Sequence, residues 1–215
     1  MARVRALPSA LAATPIVAVR AIAFACAAFA VALAATGVAP AFAAHSRGRA
    51  AAAAHRTCQN ASLRPTAQDL NLIRGATLCL VNRERRAAGE RPLRPNARLR
   101  RAAQAHTRSM AFGDYFEHVG PGGTTTLARL RAVGYISSSR IGYEVGENIA
   151  WGTLSLATPR AIVAAWMASP GHRANILDRR YRETGIGVSP HPPASLSDGQ
   201  PGAIYTQDFG VIIRG

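Results

Sequence analysis

Ser169-Pro170-Gly171-His172-Arg173-Ala174-Asn175-Ile176-Leu177 is the stretch on which the reading of this chain turns. It follows a helical pattern that ends at Trp166-Met167-Ala168. Pro-Gly is a break signal. His172 comes directly after it, where a backbone kink can aim the imidazole into a cleft. Arg173 and Asn175 can hydrogen-bond loop backbone, and Ile176-Leu177 return the chain to the core. A lone His beside a turn would be read as a surface residue. This one is accompanied by three other polar-apolar segments. Phe116-Glu117-His118 and Gly146-Glu147-Asn148-Ile149-Ala150-Trp151-Gly152 precede it, and Tyr205-Thr206-Gln207-Asp208-Phe209-Gly210 follows it.

These segments, in this order, resemble the CAP superfamily (cysteine-rich secretory proteins, antigen 5 and pathogenesis-related-1 proteins) in its compact bacterial form. The resemblance runs from about Ala67 to Val211. It implies a three-layer α-β-α sandwich around a central antiparallel sheet. The residues alone point to an α+β domain, because helical periodicity comes early, strand alternation comes later, and one further helix lies between.

The chain of 215 residues carries 26 arginines, no lysine and 11 acids. Residues 1–43 read as a secretory signal. Arg3 and Arg5 open it, Ala21 to Ala35 is an apolar run too short for a comfortable membrane span, and Ala41-Phe42-Ala43 is a cleavage site of the A-x-A kind. A secreted or envelope-associated protein is expected, with membrane attachment only if that signal stays uncleaved as an anchor. Cys26 is followed by further apolar residues, which is the wrong place for lipidation. Cleavage leaves about 172 residues, enough for one domain with a core. It also removes Arg3, Arg5 and Arg20 while every acid remains, so the formal charge falls to about +12. Such a surface attracts anionic polymers and lipid head groups. No aromatic-rich basic motif or nucleic-acid module is visible, so no specific nucleic-acid partner is expected.

Removal of Cys26 with the signal leaves Cys58 and Cys79 as an even pair in an oxidising compartment, and a disulfide is expected. It closes a loop of about twenty residues and constrains the unfolded chain by roughly 3 kcal/mol in the loop-entropy account. Residues 44–66 are expected to form a flexible N-terminal arm, and residues 67–215 the folded domain.

Within that domain, Leu70, Ile73, Thr77, Leu80 and Val81 recur at helical spacing over Ala67 to Ala87. Gly89 to Pro95 reads as a loop. Asn96 caps a second helix, on which Leu99, Ala103, His106 and Met110 form a stripe. His106 is read as a hydrogen-bonded core residue and left out of the site. Thr126 is expected to cap a short helix closed by Gly134. Glu144 to Trp151 is a strand, and Thr158-Pro159 starts a helix that buries Ile162, Val163, Trp166 and Met167. Glu183 to Ser189 alternates Thr184, Ile186 and Val188 against Gly185 and Gly187. That pattern fits a strand with one face closely approached by another element. Ser189 to Pro201 is a loop, and Ala203 to Val211 is the last strand, with Tyr205, Gln207 and Phe209 on one side.

His118, Glu147 and His172 are separated by 29 and 25 residues, so only tertiary folding could gather them. The resemblance implies that these positions line one central cleft, with Asn148, Arg173, Asn175 and Gln207 supporting it. Two neutral imidazoles and a carboxylate can bind a divalent metal such as zinc and leave a position open for water. Many eukaryotic members of the superfamily carry a second Glu at the end of the helix before the His. Here that helix ends Trp166-Met167-Ala168-Ser169, and Glu183 does not match the position. No nucleophile-elbow motif surrounds Ser169, and no catalytic set is complete. Three function classes follow. The first is a binding module for a small ligand, a lipid or an envelope polymer, with no cofactor required. The second is a metal-assisted hydrolase of peptide or wall polymer, with Glu147 as ligand or base. The third is a basic envelope-adhesive or antimicrobial protein.

Overall fold

A computed structural model describes residues 57–213. The signal expected over 1–43 and residues 44–56 of the expected arm lie outside the described residues. Among the described residues six α-helices and a four-stranded sheet make an α+β fold. In chain order they are α1 (Leu70–Ala87), β1 (Arg94–Pro95), α2 (Ala97–Gly113), α3 (Thr126–Ala132), β2 (Gly142–Thr153), α4 (Pro159–Ala168), α5 (Pro170–Leu177), β3 (Glu183–Ser189), α6 (Ala194–Ser197) and β4 (Gly202–Ile213). The strand order is β1-β3-β4-β2. β4 runs antiparallel to both β2 and β3. The two-residue β1 adds a parallel edge, pairing Arg94 with Glu183 and Pro95 with Thr184. The sheet is therefore mixed at that edge rather than wholly antiparallel. The expected loop joins it because the Pro95 ring removes only one donor, and an edge strand tolerates that loss.

The two faces of the sheet are built differently. A Cβ added at Gly185 would collide with the backbone of Leu99 and Arg100, and one at Gly187 with the backbone of Ala103. α2 therefore lies directly against β3, and the two glycines read from the sequence are what admit it. On the opposite face Ile186, Val188, Tyr205 and Phe209 pack with Ile73, Leu80 and Val81 of α1 and with Ile162, Val163 and Trp166 of α4. Tyr181 stacks on Phe209 with ring centroids 5.3 Å apart. Helices thus cover both faces, and the Tyr205, Gln207 and Phe209 side of β4 faces α1 and α4. A smaller cluster of Leu99, Ala102, Leu130, Tyr135 and Ile136 lies under α2 and α3.

Local chemistry accounts for most boundaries. Asn96 accepts hydrogen bonds from the backbone N–H of Arg98 (2.9 Å) and Leu99 (3.2 Å), which contributes about 1 kcal/mol to α2. Thr125, one residue before the expected cap, accepts from Ala128 N–H at 3.2 Å and starts α3. Thr158 caps α4 at Ala161 N–H, 3.3 Å. The helical run does break at the Pro-Gly signal, since α4 stops at Ala168 and Ser169 is extended, but Pro170 does not lead into a loop. It occupies the first turn of a new helix, α5, where its missing N–H would have had no partner and its fixed φ is already suitable. His172 therefore sits on a helix rather than at a kink.

The described part of the expected arm is packed, not loose. Ala61 is buried in the main core, Cys58 and Leu63 pack against it, and the Ala61 carbonyl accepts the Arg160 N–H at 2.8 Å. The Cys58–Cys79 disulfide ties this segment to α1. At the far end of α1, Arg85 is wholly buried without a carboxylate partner. It donates instead to three backbone carbonyls, those of Arg91 (2.7 Å), Ile176 (2.6 Å) and Asp178 (3.0 Å). One side chain thereby joins the ends of α1 and α5 to the loop before β1.

Candidate functional site

β2 is an edge strand, and its middle carries Gly146-Glu147-Asn148. Glu147 faces α2 and α3, and Asn148 faces α5. Segments from both layers can therefore meet at this edge. Asn148 Nδ2 donates to the His172 carbonyl at 3.0 Å, and Asn175 Nδ2 donates to Asn148 Oδ1 at 2.9 Å and to the Glu147 carbonyl at 3.3 Å. These amide contacts lock α5 onto β2 and tie the two motifs to each other. Gln207, buried one strand further in, donates from Nε2 to Thr184 Oγ1 at 3.1 Å. It supports the sheet on the Asn148 face. Arg173 is exposed, and its side chain makes no hydrogen bond among the described residues.

Glu147 is the centre of the cluster, with only 3% of its side chain exposed. Its Oε1 meets His118 Nδ1 at 2.8 Å, and its Oε2 accepts from Arg129 Nη2 at 2.7 Å. His106 Nε2 lies 3.9 Å from Oε1 and donates to the Glu117 carbonyl at 2.9 Å. A carbonyl only accepts, so this contact assigns the proton to Nε2. His106 is a hydrogen-bonded core residue that also forms one wall behind Glu147. Arg129 does more than pair with the carboxylate. It donates to the carbonyls of Thr124 (2.8 Å) and His118 (3.0 Å) and to Thr126 Oγ1 (3.0 Å). The loop that presents His118 is thus strapped to the guanidinium that neutralises Glu147.

Directly across the ladder from Glu147 stands Asp208 of β4. It is fully buried, and no protein donor reaches either carboxylate oxygen. Burial, and then the Glu147 carboxylate beside it, push its pKa well above the usual carboxyl range. A protonated Asp208, able to donate toward Glu147, is the state that fits this enclosure. For Glu147 burial alone would act in the same direction. The hydrogen bond from His118 and the charge of Arg129 outweigh it and hold Glu147 below its ordinary value. The inner site therefore sets one carboxylate paired with a guanidinium beside a second, buried acid whose protonated form is favoured.

His118 and His172 form the outer part. The His118 side chain is 52% exposed. His172 is half-buried on α5, and its pKa is lowered by burial and further by the nearby His118. Beyond Glu147 on the same face of β2, Ile149 packs with Met110 and Ile204, and half-buried Phe116, Tyr115 and Trp151 lie against them. The site thus has a polar floor and an apolar flank.

The structure brings Glu147 and His118 into contact, while His172 is linked to the cluster through the charge of His118 and through its carbonyl on Asn148. Among the described residues no group of three or more His, Cys, Asp or Glu side chains is arranged to hold a metal ion. Both Glu147 oxygens are engaged, one of them by a guanidinium, and a divalent cation would have to share the carboxylate with that fixed positive charge. The residues present do not fit the zinc expected from two imidazoles and a carboxylate.

Two members of the site were missed in the sequence, Arg129 and Asp208. Each carried a signal. Arg129 lies four residues before Val133 and beside Leu130, on the side of α3 that the apolar spacing turns inward. A buried Arg there needs acceptors for its donors, and an acid is one candidate. Asp208 is the one charge between Ala203 and Val211, a strand otherwise free of charge.

Residues 78–209, more than half of the chain, match the sequence profile of the cysteine-rich secretory protein family, CAP. The chain is 34% identical over 131 residues to YkwD, an uncharacterized protein of Bacillus subtilis (strain 168). That match covers 60% of this chain and 44% of the relative. Among solved structures, an extracellular protein containing an SCP domain from Bacillus anthracis is similar with a TM-score of 0.51 and 24% identity, over 70% of this chain and 44% of that one. An outer surface protein from Borrelia burgdorferi is similar with a TM-score of 0.51 and 17% identity, over 70% of this chain and 96% of that one. The chain thus spans less than half the length of the relative YkwD, and the two solved structures bear on the fold alone. Sequence profile and fold agree with the ordered motifs around Glu147 and His172, and the chain belongs to the cysteine-rich secretory protein (CAP) family.

Proposed function

We propose that this CAP domain is an exported binding module whose central cleft holds a ligand between the His118/His172 pair and the apolar flank of Phe116 and Trp151. The observation that carries this reading is the double engagement of Glu147 by His118 and Arg129. A general base needs a free lone pair within reach of the proton it removes. Both Glu147 oxygens already accept strong hydrogen bonds, and the pKa is held low, which weakens basicity further. Glu147 then serves to orient His118, leaving the outer imidazole edge and His172 to meet the ligand. Imidazoles beside half-buried aromatics suit a molecule with an apolar body and a polar head, such as a lipid, or a polar group on a larger polymer. Export is supported by the residue pattern of 1–43 and by the Cys58–Cys79 disulfide, which suits an oxidising compartment.

The test is a hydrolysis assay on peptide and cell-wall polymer substrates, with and without added zinc, comparing the protein with its Glu147→Gln variant. The expected result is no turnover that depends on Glu147. Turnover abolished in a folded Glu147→Gln variant would replace the binding module with a hydrolase.

A further inference from the structure

A second basic feature lies away from the central cleft, at the end of the sheet where β1 and β3 begin and β4 ends. An open cleft of about 900 Å³ is lined there by Arg91, Arg94, Arg98 and Arg182, with Glu183 and Tyr135 at its floor. The four arginines come from separate backbone positions: the loop before β1, β1 itself, the first turn of α2 and the residue before β3. Among the described residues none of the four has a carboxylate within salt-bridge distance, whereas Arg129 and Arg180 do. Glu183 is the one acid lining the cleft, and its two oxygens are taken by Asn96 Nδ2 at 3.0 Å and the Tyr135 hydroxyl at 3.1 Å.

The backbone that presents these arginines is pinned from below. Arg85 holds the Arg91 carbonyl. Asn82 holds Leu93 in both directions, accepting its N–H at 2.7 Å and donating to its carbonyl at 3.0 Å. Arg94 N–H donates to the Arg182 carbonyl at 3.0 Å, which sets those two residues side by side. Arg182 is braced through Nη1 on the carbonyls of its own turn, among them Tyr181 at 3.1 Å. The cations are thus gathered by a fixed framework and, among the described residues, left without a carboxylate partner.

We propose that this cleft binds a phosphate-bearing polymer, a function independent of the central cleft. A guanidinium presents a planar fork that matches phosphate oxygens in a bidentate manner. Four of them around an open cleft can engage several phosphates in succession. The strong positive excess of the chain draws such a polyanion in. Tyr135 is the one aromatic residue lining the cleft, and it is buried with its hydroxyl on Glu183, so nothing is offered on which a base could stack. The chemistry favours a flexible, base-free phosphate chain over a nucleic acid.

The experiment is titration of the purified protein with long-chain inorganic polyphosphate at low and moderate salt. It is run beside the Arg94→Gln/Arg98→Gln/Arg182→Gln variant and a charge-matched Arg64→Gln/Arg108→Gln/Arg160→Gln control on exposed sites outside the cleft. Thermal melting verifies that each variant is folded. The cleft variant is expected to lose about tenfold or more in affinity and to show a shallower salt slope, while the control changes little. Equal weakening in both variants would overturn the proposal in favour of diffuse charge. Equal affinity for free inorganic phosphate would overturn the polymer, and tighter binding of a single-stranded oligonucleotide would overturn the base-free ligand. A single Arg98→Gln substitution, on an exposed side chain, keeps the comparison readable if the triple variant does not fold. It is expected to weaken polyphosphate binding more than Arg108→Gln does, and an equal effect would count against the cleft.

Discussion

At the middle of β2 the Arg129 guanidinium is buried against Glu147 and three loop acceptors, whereas around the cleft at the end of the sheet Arg91, Arg94 and Arg98 stand exposed without a carboxylate. The same side chain is structural in one place and available in the other. The difference comes from what surrounds it. Where the fold removes water, an arginine turns most of its donors onto internal acceptors, and it then fixes whatever accepts them. Where water remains, a guanidinium has little to gain from a surface ion pair and keeps its fork free for a partner from outside. Arg85 is an intermediate case. It is buried yet has no carboxylate partner, and backbone carbonyls take its place.

The comparison can be broken most sharply at Arg129. Replacing it with Met leaves the Glu147 carboxylate buried without its guanidinium partner. The expected cost is about 3–5 kcal/mol in urea unfolding. Adding Glu147→Gln to that variant should recover at least half of the loss, since the uncompensated charge is gone. No recovery would mean that Arg129 acts through the loop carbonyls and not through the carboxylate.

Asp208 gives a smaller effect with a definite pH signature. Its folded pKa lies above its unfolded value, so the folded state keeps a proton that the unfolded state releases. Its contribution is therefore fully present below the unfolded pKa and is lost as pH rises toward the folded one. Asp208→Asn should raise Tm at pH 7–8 by on the order of a few degrees, and should not raise it at pH 3. The same offset at both values would show that Asp208 carries no excess proton. Glu147 acts in the opposite direction. Its lowered pKa contributes stability above the unfolded value that is lost on acidification.

The smallest change is expected at the sheet-end cleft. Arg94→Gln and Arg98→Gln, on exposed side chains, should each shift stability by no more than about 0.5 kcal/mol in urea unfolding. A loss of about 2 kcal/mol would mean that these arginines are structural after all, and the contrast with Arg129 would disappear.

Most of the framework was legible because it depends on local pattern. The Asn96 cap, the Thr158-Pro159 start, the alternating glycines of β3 and the Tyr205, Gln207 and Phe209 side of β4 are set by periods and caps within a few residues. α5 was misread because Pro-Gly has two meanings, a stop or a first turn, and only packing against β2 through Asn148 and Asn175 selects the second. β1 was missed because two residues carry no alternation. For the site, His118, Glu147 and His172 could be named from ordered motifs, but their electrostatics could not. Arg129 lies 18 residues from Glu147 and Asp208 lies on another strand, so the neutralisation of Glu147 exists only in the folded chain.

Zinc titration of the purified protein by calorimetry, with the His118→Ala/His172→Ala variant as control, tests most directly whether the central site is complete within itself. If Arg129 and His118 already satisfy Glu147, the protein and the variant will give the same heats, with no saturable site between them. Stoichiometric one-site binding that is lost in the variant would contradict this and make the cleft a metal centre.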